Sequence, residues 1–267
     1  MTWVDIDGCK LEVVRLASAH PREGARPLVF LHEGLGSVRM WRDFPQRVAD
    51  ATGCEAVVYS RAGYGQSDPA ELPRRTDYMH REGLEVLPAL IDALGLDRPF
   101  LIGHSDGGSI SLICAGGTPT PLSGVIVMAP HVLVENISVS SIEQAEVAWQ
   151  TTDLRQRLGR YHRDVEAVFR GWNDIWLHPD FRAWNIEDVL PTITCPVLAM
   201  QGEDDEYGTM DQIDRIAARA PDVELVKLAD CRHSPHKDQP EAVTDAIRNF
   251  VEHILDGVPS LHMEDLS

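Results

Sequence analysis

Short apolar runs alternate with longer segments of helical periodicity along most of the chain. Runs such as LVFLH and GVIVMAP are apolar throughout, which is typical of strands covered on both faces of a sheet. The pattern therefore predicts an α/β fold with a doubly wound, mostly parallel sheet and helices on both sides. Strands are predicted at residues 11–16, 27–32, 55–60, 99–103, 122–128, 196–201 and 223–228, and helices between them at 78–94, 211–220 and 241–255.

The alternation stops between Pro130 and Pro191, where several helical patterns occur without a convincing strand. Such a stretch is too long for a structureless loop. We therefore predict a helical cap at residues 131–190, lying over the carboxyl ends of the strands, while residues 1–130 and 191–267 form the core. The stretch holds four of the six tryptophans. We expect three of these to contribute to a substrate pocket: Trp149, Trp172 and Trp176.

Composition narrows the class of partner. The chain has 267 residues and a formal net charge of −18, which disfavours nucleic acid and anionic membrane surfaces. It has neither a basic, apolar leader nor the run of roughly 18 apolar residues that spans a membrane. The five cysteines are widely and irregularly spaced, which favours reduced thiols. We expect a cytoplasmic protein that acts on a small molecule, as a monomer or a homodimer.

The stretch LIGHSDGG holds two adjacent candidate nucleophiles, Ser105 and Asp106. It follows the apolar run PFLIG and precedes a helical pattern, so it occupies a strand-to-helix turn. A nucleophile at such a turn needs small residues two positions before and after it. Ser105 satisfies this requirement with Gly103 and Gly107, whereas Asp106 would have His104 at the first position. Ser105 is therefore the predicted nucleophile, and a serine indicates acyl transfer.

A serine hydroxyl needs a base to take its proton. The stretch LADCRHSPHKDQ offers His233 and His236 after the last predicted strand. We select His233, which comes first after the strand, and expect His236 to hydrogen-bond locally near the final helix. An alternative interpretation takes Cys231 and both histidines as metal ligands, but no second ligand cluster completes such a site. No metal is predicted.

The acid that orients the histidine is expected in GEDDEYG, which follows the strand predicted at 196–201. Asp205 is the predicted acid and Asp204 the fallback. The acidic cluster could also be a solvated turn, or a weak calcium site without the ligand spacing of an EF-hand. The resulting order along the chain is Ser, Asp, His, as expected for a doubly wound hydrolase sheet.

Acyl transfer also needs donors for the developing oxyanion. One candidate is the backbone N–H of Asp106, directly after the nucleophile. The other lies in HEGLGS, after an earlier strand, where Gly34 would let a carbonyl group approach closely. The glycines of this segment are equally compatible with a simple flexible turn.

These segments resemble the α/β-hydrolase superfamily over nearly the whole chain. The resemblance rests on HEGLGS, RAGYGQSD, GHSDGG, GEDDEYG and CRHSPH, in the order and approximate spacing of that family. It implies a sheet of the α/β-hydrolase type with a helical cap inserted after the sixth strand, and capped esterases and carbon–carbon bond hydrolases look most similar. Glu33 departs from the His-Gly pair of many relatives. Its charge would disfavour anionic substrates in the pocket unless Arg39 or Arg61 neutralises it.

The leading hypothesis is a carboxylic-ester hydrolase for small or medium, largely apolar acyl groups, working through an acyl-enzyme. No cofactor is expected, since neither a Walker loop nor a dinucleotide fingerprint occurs. A rival is a carbon–carbon bond hydrolase of ring-fission products, which must hold a carboxylate. A cofactor-free oxygenase and a ligand receptor on the same fold are further alternatives. Four cap arginines could supply the cation that the rival requires: Arg155, Arg157, Arg160 and Arg163.

Overall fold

The computed structural model of the protein describes residues 1–257, so the last residues of the predicted core, 258–267, lie outside it. Eight strands form one sheet in the order β1-β2-β4-β3-β5-β6-β7-β8. The β1–β2 and β2–β4 pairs are antiparallel, and all other neighbours are parallel. The prediction of an α/β fold with a mostly parallel sheet is confirmed. The strands are β1 (Thr2–Ile6), β2 (Cys9–Leu16), β3 (Leu28–Leu31), β4 (Ala56–Ser60), β5 (Phe100–His104), β6 (Gly124–Met128), β7 (Val197–Gly202) and β8 (Val223–Leu228).

The prediction missed β1, which is an edge strand with mostly exposed side chains and therefore no apolar run. The signal that identifies it is the pair Asp7-Gly8. Both residues have positive φ, 52° and 85°, as a two-residue hairpin of type I′ requires.

The central strands are buried on both faces. Successive side chains along a strand point to opposite faces of the sheet, so each strand contributes to two hydrophobic cores. Val29 and Leu31 of β3 belong to one core, and Leu28 and Phe30 belong to the other. This alternation explains why the strand reads as apolar throughout.

Helices cover both faces. They are α1 (Phe44–Thr52), α2 (Tyr78–Arg81), α3 (Leu87–Ala93), α4 (Asp106–Gly117), α5 (Asn136–Thr151), α6 (Leu154–Leu158), α7 (Val165–Trp176), α8 (Asp211–Arg219), α9 (Pro235–Asp238) and α10 (Pro240–Leu255). The helix predicted at 78–94 is present, but a π-helical segment, Glu82–Val86, separates α2 from α3. Pro88 lacks the N–H that a regular helix would use at this point, which accounts for the local change in winding. Within residues 1–257 no helix is long and apolar enough to cross a membrane.

The segment between β6 and β7 is helical. It contains α5, α6, α7 and two short 3₁₀ helices, and its only β pairing is the isolated bridge between Leu133 and Asn185. Helix α7 buries both Trp172 and Trp176, which lie four residues apart and so share one face of the helix. That face lies against the site described next.

Candidate active site

The turn from β5 into α4 places Ser105 at its tip. Ser105 has φ 53° and ψ −119°, a conformation that is strained for a residue with a side chain. A Cβ atom at Gly103 would overlap the carbonyl of Gly107, and one at Gly107 would overlap the carbonyl of Leu31. The small residues on both sides of Ser105 are therefore required by the backbone contacts that hold this turn.

The carboxylate of Asp106, the residue after Ser105, is held by contacts in the protein interior. Asp106 is fully buried, and its Oδ2 accepts a hydrogen bond of 2.7 Å from the hydroxyl of Tyr78. The guanidinium of Arg61, also fully buried, lies 3.7 Å from the same oxygen. The side chain of Asp106 thus belongs to an internal ion pair.

Ser105, Asp205 and His233 meet at the carboxyl edge of the sheet. Nε2 of His233 lies 3.0 Å from Oγ of Ser105. Nδ1 of His233 lies 2.9 Å from each carboxylate oxygen of Asp205. An ionised carboxylate only accepts hydrogen bonds, so Nδ1–H donates to it and Nε2 is left to accept from the serine hydroxyl.

Asp205 is held as an anion by several donors besides the histidine. The backbone N–H of Tyr207 donates to it at 2.7 Å, and Nε2 of Gln201 donates at 2.9 Å. Burial raises the pKa of Asp205, but the hydrogen bond with His233 and these other contacts outweigh burial and lower it below the ordinary value. Asp204, in contrast, is exposed.

The loop that carries His233 is fixed by polar contacts. The carbonyl oxygen of His233 accepts a hydrogen bond of 2.7 Å from Nε2 of His104, the residue before Ser105. The N–H of His233 donates to Glu206 at 3.2 Å. The expected local hydrogen bond of His236 is not found at Nδ1, which has no partner in the described chain. The ring of His236 packs instead on Trp41, with a centroid distance of 4.8 Å. Across residues 1–257, no cluster of His, Cys, Asp and Glu has a metal-binding arrangement.

The segment after β3 brings Glu33 and Gly34 to the same edge. A Cβ atom at Gly34 would overlap the indole of Trp172, so only glycine fits beneath that ring. Neither Arg39 nor Arg61 neutralises the charge of Glu33, because Arg39 donates to the carbonyl of Arg160 and Arg61 pairs with Asp106. Lys237 lies near Glu33 instead, but its side chain is 38% exposed to solvent, so it offsets that charge only in part.

Nζ of Lys237 lies 3.6 Å from Oε1 of Glu33, and Nδ1 of His104 lies 3.6 Å from Oε2. Burial raises the pKa of Glu33, but the positive charge of Lys237 is the largest of the effects that together outweigh burial and hold the pKa well below its ordinary value. Glu33 is therefore charged at neutral pH.

A cavity of about 200 Å³ opens at Ser105. Trp172 and Trp176 line it, together with Glu33 and Gly34. Trp149 does not: its ring stacks on Phe169 with a centroid distance of 4.1 Å, so it packs α5 against α7. The sequence prediction also missed several residues of the wall, which are Leu35, Met40, His131, Ile142, Leu158 and Tyr207.

His131 could have been found from the sequence, because it closely follows the apolar run GVIVMAP and so reaches the same sheet edge as Ser105. It is almost fully buried. Burial, followed by the proximity of His233, lowers the pKa of His131 to about 4. A neutral imidazole therefore faces the cavity near His233.

Comparison with known proteins identifies the family. The model of the alpha/beta hydrolase family matches residues 28–246, and the chain belongs to that family. It is similar to the 2-hydroxy-6-oxo-6-phenylhexa-2,4-dienoate hydrolase of Burkholderia cepacia, with 22% identity over 253 residues that cover 84% of this chain and 87% of the relative.

Solved structures share the fold. The proline iminopeptidase of Mycobacterium smegmatis superposes with a TM-score of 0.80 and 20% identity, covering 96% of this chain and 99% of that one. An esterase of Thermogutta terrifontis gives a TM-score of 0.72 and 19% identity, covering 95% and 99%. The protein is thus an alpha/beta hydrolase.

Proposed function

We propose that the protein hydrolyses a carboxylic ester with a small or medium, largely apolar acyl group, using Ser105 as nucleophile, His233 as base and Asp205 as the orienting acid. The observation that carries the proposal is the hydrogen-bonded series from Ser105 Oγ to His233 Nε2, at 3.0 Å, and on to Asp205. Nucleophile, base and orienting group within such distances are the arrangement that activates a hydroxyl.

In the first step the Oγ of Ser105 attacks the acyl carbon while its proton moves to Nε2 of His233. The tetrahedral intermediate collapses as the alcohol leaves with that proton, and the acyl group stays on Ser105. Water then attacks the acyl-enzyme with His233 again as base, releasing the acid. We assign the oxyanion donors as the backbone N–H groups of Gly34 and Asp106. The first N–H of helix α4 has no partner within its own helix and is free for this role.

The wall of the cavity supports a largely apolar acyl group. Its volume lies below the roughly 300–1,000 Å³ of most small-molecule sites, which favours a short group. Several aliphatic and aromatic side chains surround it, namely Leu35, Met40, Ile142, Leu158, Trp172 and Trp176. We propose residues 131–190 as the cap that closes this cavity.

Carbon–carbon bond hydrolysis of ring-fission products is the second candidate, favoured by the Burkholderia relative. A substrate of that kind carries a carboxylate. The lining contains no lysine or arginine, Glu33 adds a negative charge, and the four arginines of residues 155–163 are all exposed. These observations favour the ester.

The decisive measurement is the initial rate on p-nitrophenyl acetate, butyrate and octanoate for the wild type and for Ser105→Ala. We expect hydrolysis of the shorter esters by the wild type and background rates for the variant. Equal rates for both proteins would reject Ser105 as the nucleophile, and would favour the oxygenase alternative if oxygen were consumed with a hydroxyquinolone. Turnover of an anionic vinylogous diketone in place of the esters would establish the second candidate, and specific binding without any turnover would favour a receptor.

We also propose the cellular compartment of the protein and the kind of partner that it binds. All five cysteines are free, which supports a reducing compartment such as the cytoplasm. The negative charge and the small cavity support a small-molecule partner.

A further inference from the structure

A buried arginine lies directly behind the proposed oxyanion donors. Arg61 is fully buried, and its Nη2 donates to the carbonyl oxygen of Glu33 at 3.0 Å. That carbonyl belongs to the same peptide group as the N–H of Gly34. In a trans peptide the two bonds point in opposite directions, so a donor that holds the carbonyl also sets the direction of the N–H.

The carbonyl of Glu33 accepts two further hydrogen bonds. Nδ1 of His32 donates at 2.7 Å and the N–H of Gly36 donates at 3.0 Å. The backbone N–H of Arg61 donates to Nε2 of His32 at 3.1 Å, which fixes the tautomer with the proton on Nδ1. Burial and the Arg61 cation lower the pKa of His32 well below its ordinary value, so the ring remains neutral in this role. Three donors, one of them charged, therefore converge on a single carbonyl.

The opposite end of this peptide is free. Within residues 1–257 the N–H of Gly34 donates to no acceptor, and Gly34 lines the cavity that holds Ser105. Hydrogen bonds polarise one another along a series, so donors on the carbonyl strengthen the N–H as a donor. Nη1 of the same guanidinium lies 3.7 Å from the carboxylate of Asp106, and the backbone N–H of Asp106 is the second proposed donor.

We propose that Arg61 is the positioning residue of the oxyanion site: it orients and polarises the Glu33–Gly34 peptide so that the Gly34 N–H stabilises the oxyanion. Arg61 never touches the substrate, and acts through this peptide and through its ion pair with Asp106. The inference rests on the proposed serine mechanism and adds to it a residue that lies outside the cavity wall.

The test distinguishes an effect of Arg61 on the orientation of the oxyanion donors from an effect of Arg61 on folding. Arg61→Met alone would leave Asp106 as an unpaired buried charge, so Arg61→Met/Asp106→Asn is compared with Asp106→Asn alone, and Arg61→Lys keeps the charge but not the geometry. Tyr78→Phe is the matched control, because it removes another donor to Asp106 without touching the Glu33 carbonyl. Thermal unfolding establishes that each variant folds, and Arg61→Lys carries the comparison if the double variant does not.

Relative to its reference, each Arg61 variant should lose about 100-fold in kcat on p-nitrophenyl butyrate, with KM within about threefold. Butylboronic acid adds to Oγ of Ser105 to give a tetrahedral anion, so its affinity should fall by a similar factor. Tyr78→Phe should stay within about threefold of the wild type on both measures. A loss confined to KM, or a loss in kcat with the affinity for the boronic acid unchanged, would overturn the inference.

A failure of the proposed function can be distinguished from a failure of the Arg61 inference. If the wild type hydrolyses no ester, the affinity for the boronic acid, measured by calorimetry, still tests Arg61 without a substrate. A wild type that binds no boronic acid would overturn both proposals.

Discussion

Both carboxylate oxygens of Asp205 lie 2.9 Å from Nδ1 of His233, although 28 residues separate the two positions along the chain. The contact fixes the tautomer of His233, which makes Nε2 the acceptor that faces Ser105. This relationship gives the first prediction.

Asp205→Asn should lower kcat by about 10⁴-fold, because the amide can donate to Nδ1 and so favours the wrong tautomer. The measurement is steady-state kinetics on p-nitrophenyl butyrate, with a fluorescence or circular dichroism check of folding. Asp204→Asn is the matched control, since Asp204 is exposed, and its kcat should stay within about threefold of the wild type. A large loss for Asp204→Asn with little loss for Asp205→Asn would reverse the assignment.

His131 predicts a pH dependence of stability. Its pKa is about 4 in the fold and about 6.5 in an unfolded chain, so the unfolded state binds the proton more readily. Its contribution to stability is full above about pH 6.5, declines as pH falls towards 4, and amounts to about 3 kcal/mol in total. The measurement is the free energy of unfolding in urea from pH 4 to 7. Its slope against pH should be shallower for His131→Gln than for the wild type, by an amount that corresponds to at most one bound proton.

The control is His20→Gln, which changes an exposed histidine and should leave the slope of the wild type in place. Parallel curves for His131→Gln and the wild type would show that His131 is not held neutral.

Trp172 and Trp149 make a matched pair for mapping the cavity, since only the first lines it. Trp172→Leu should raise the ratio of kcat/KM for octanoate to that for acetate by about tenfold, because removing the ring enlarges the pocket. Trp149→Leu should lower the melting temperature while the ratio stays unchanged. A shift in chain-length preference for Trp149→Leu alone would place the acyl group elsewhere.

Glu33 is expected to select against anionic acyl groups, because its charge faces a cavity without lysine or arginine in its lining. Glu33→Gln should raise kcat/KM for p-nitrophenyl hemiglutarate, relative to the neutral p-nitrophenyl valerate, by about three- to tenfold at low salt. Glu203→Gln, which changes an exposed acid, is the control. An equal change for both esters would mean that Glu33 acts on the reaction rather than on specificity.

The sequence by itself determined the fold class and the turn that carries Ser105. Both are local properties: burial on two faces makes the strands apolar throughout, and the backbone contacts of the turn require glycine at 103 and 107. The hairpin between β1 and β2 is also determined by local sequence, through the turn residues Asp7 and Gly8. The side chains of β1 are mostly exposed, so the strand has no apolar run by which to predict it.

The tertiary structure decided which members of each cluster come together at the site. The sequence favoured Asp205 over Asp204 and His233 over His236 by position alone, and it did not separate Trp172 from Trp149. Which of these side chains reach the site depends on how distant segments turn toward one edge of the sheet. Lys237 as the partner of Glu33, and Arg61 behind the Glu33–Gly34 peptide, have the same origin. Contacts between residues far apart in the chain leave no periodicity in the sequence, because packing selects them only after the strands have brought their loops together.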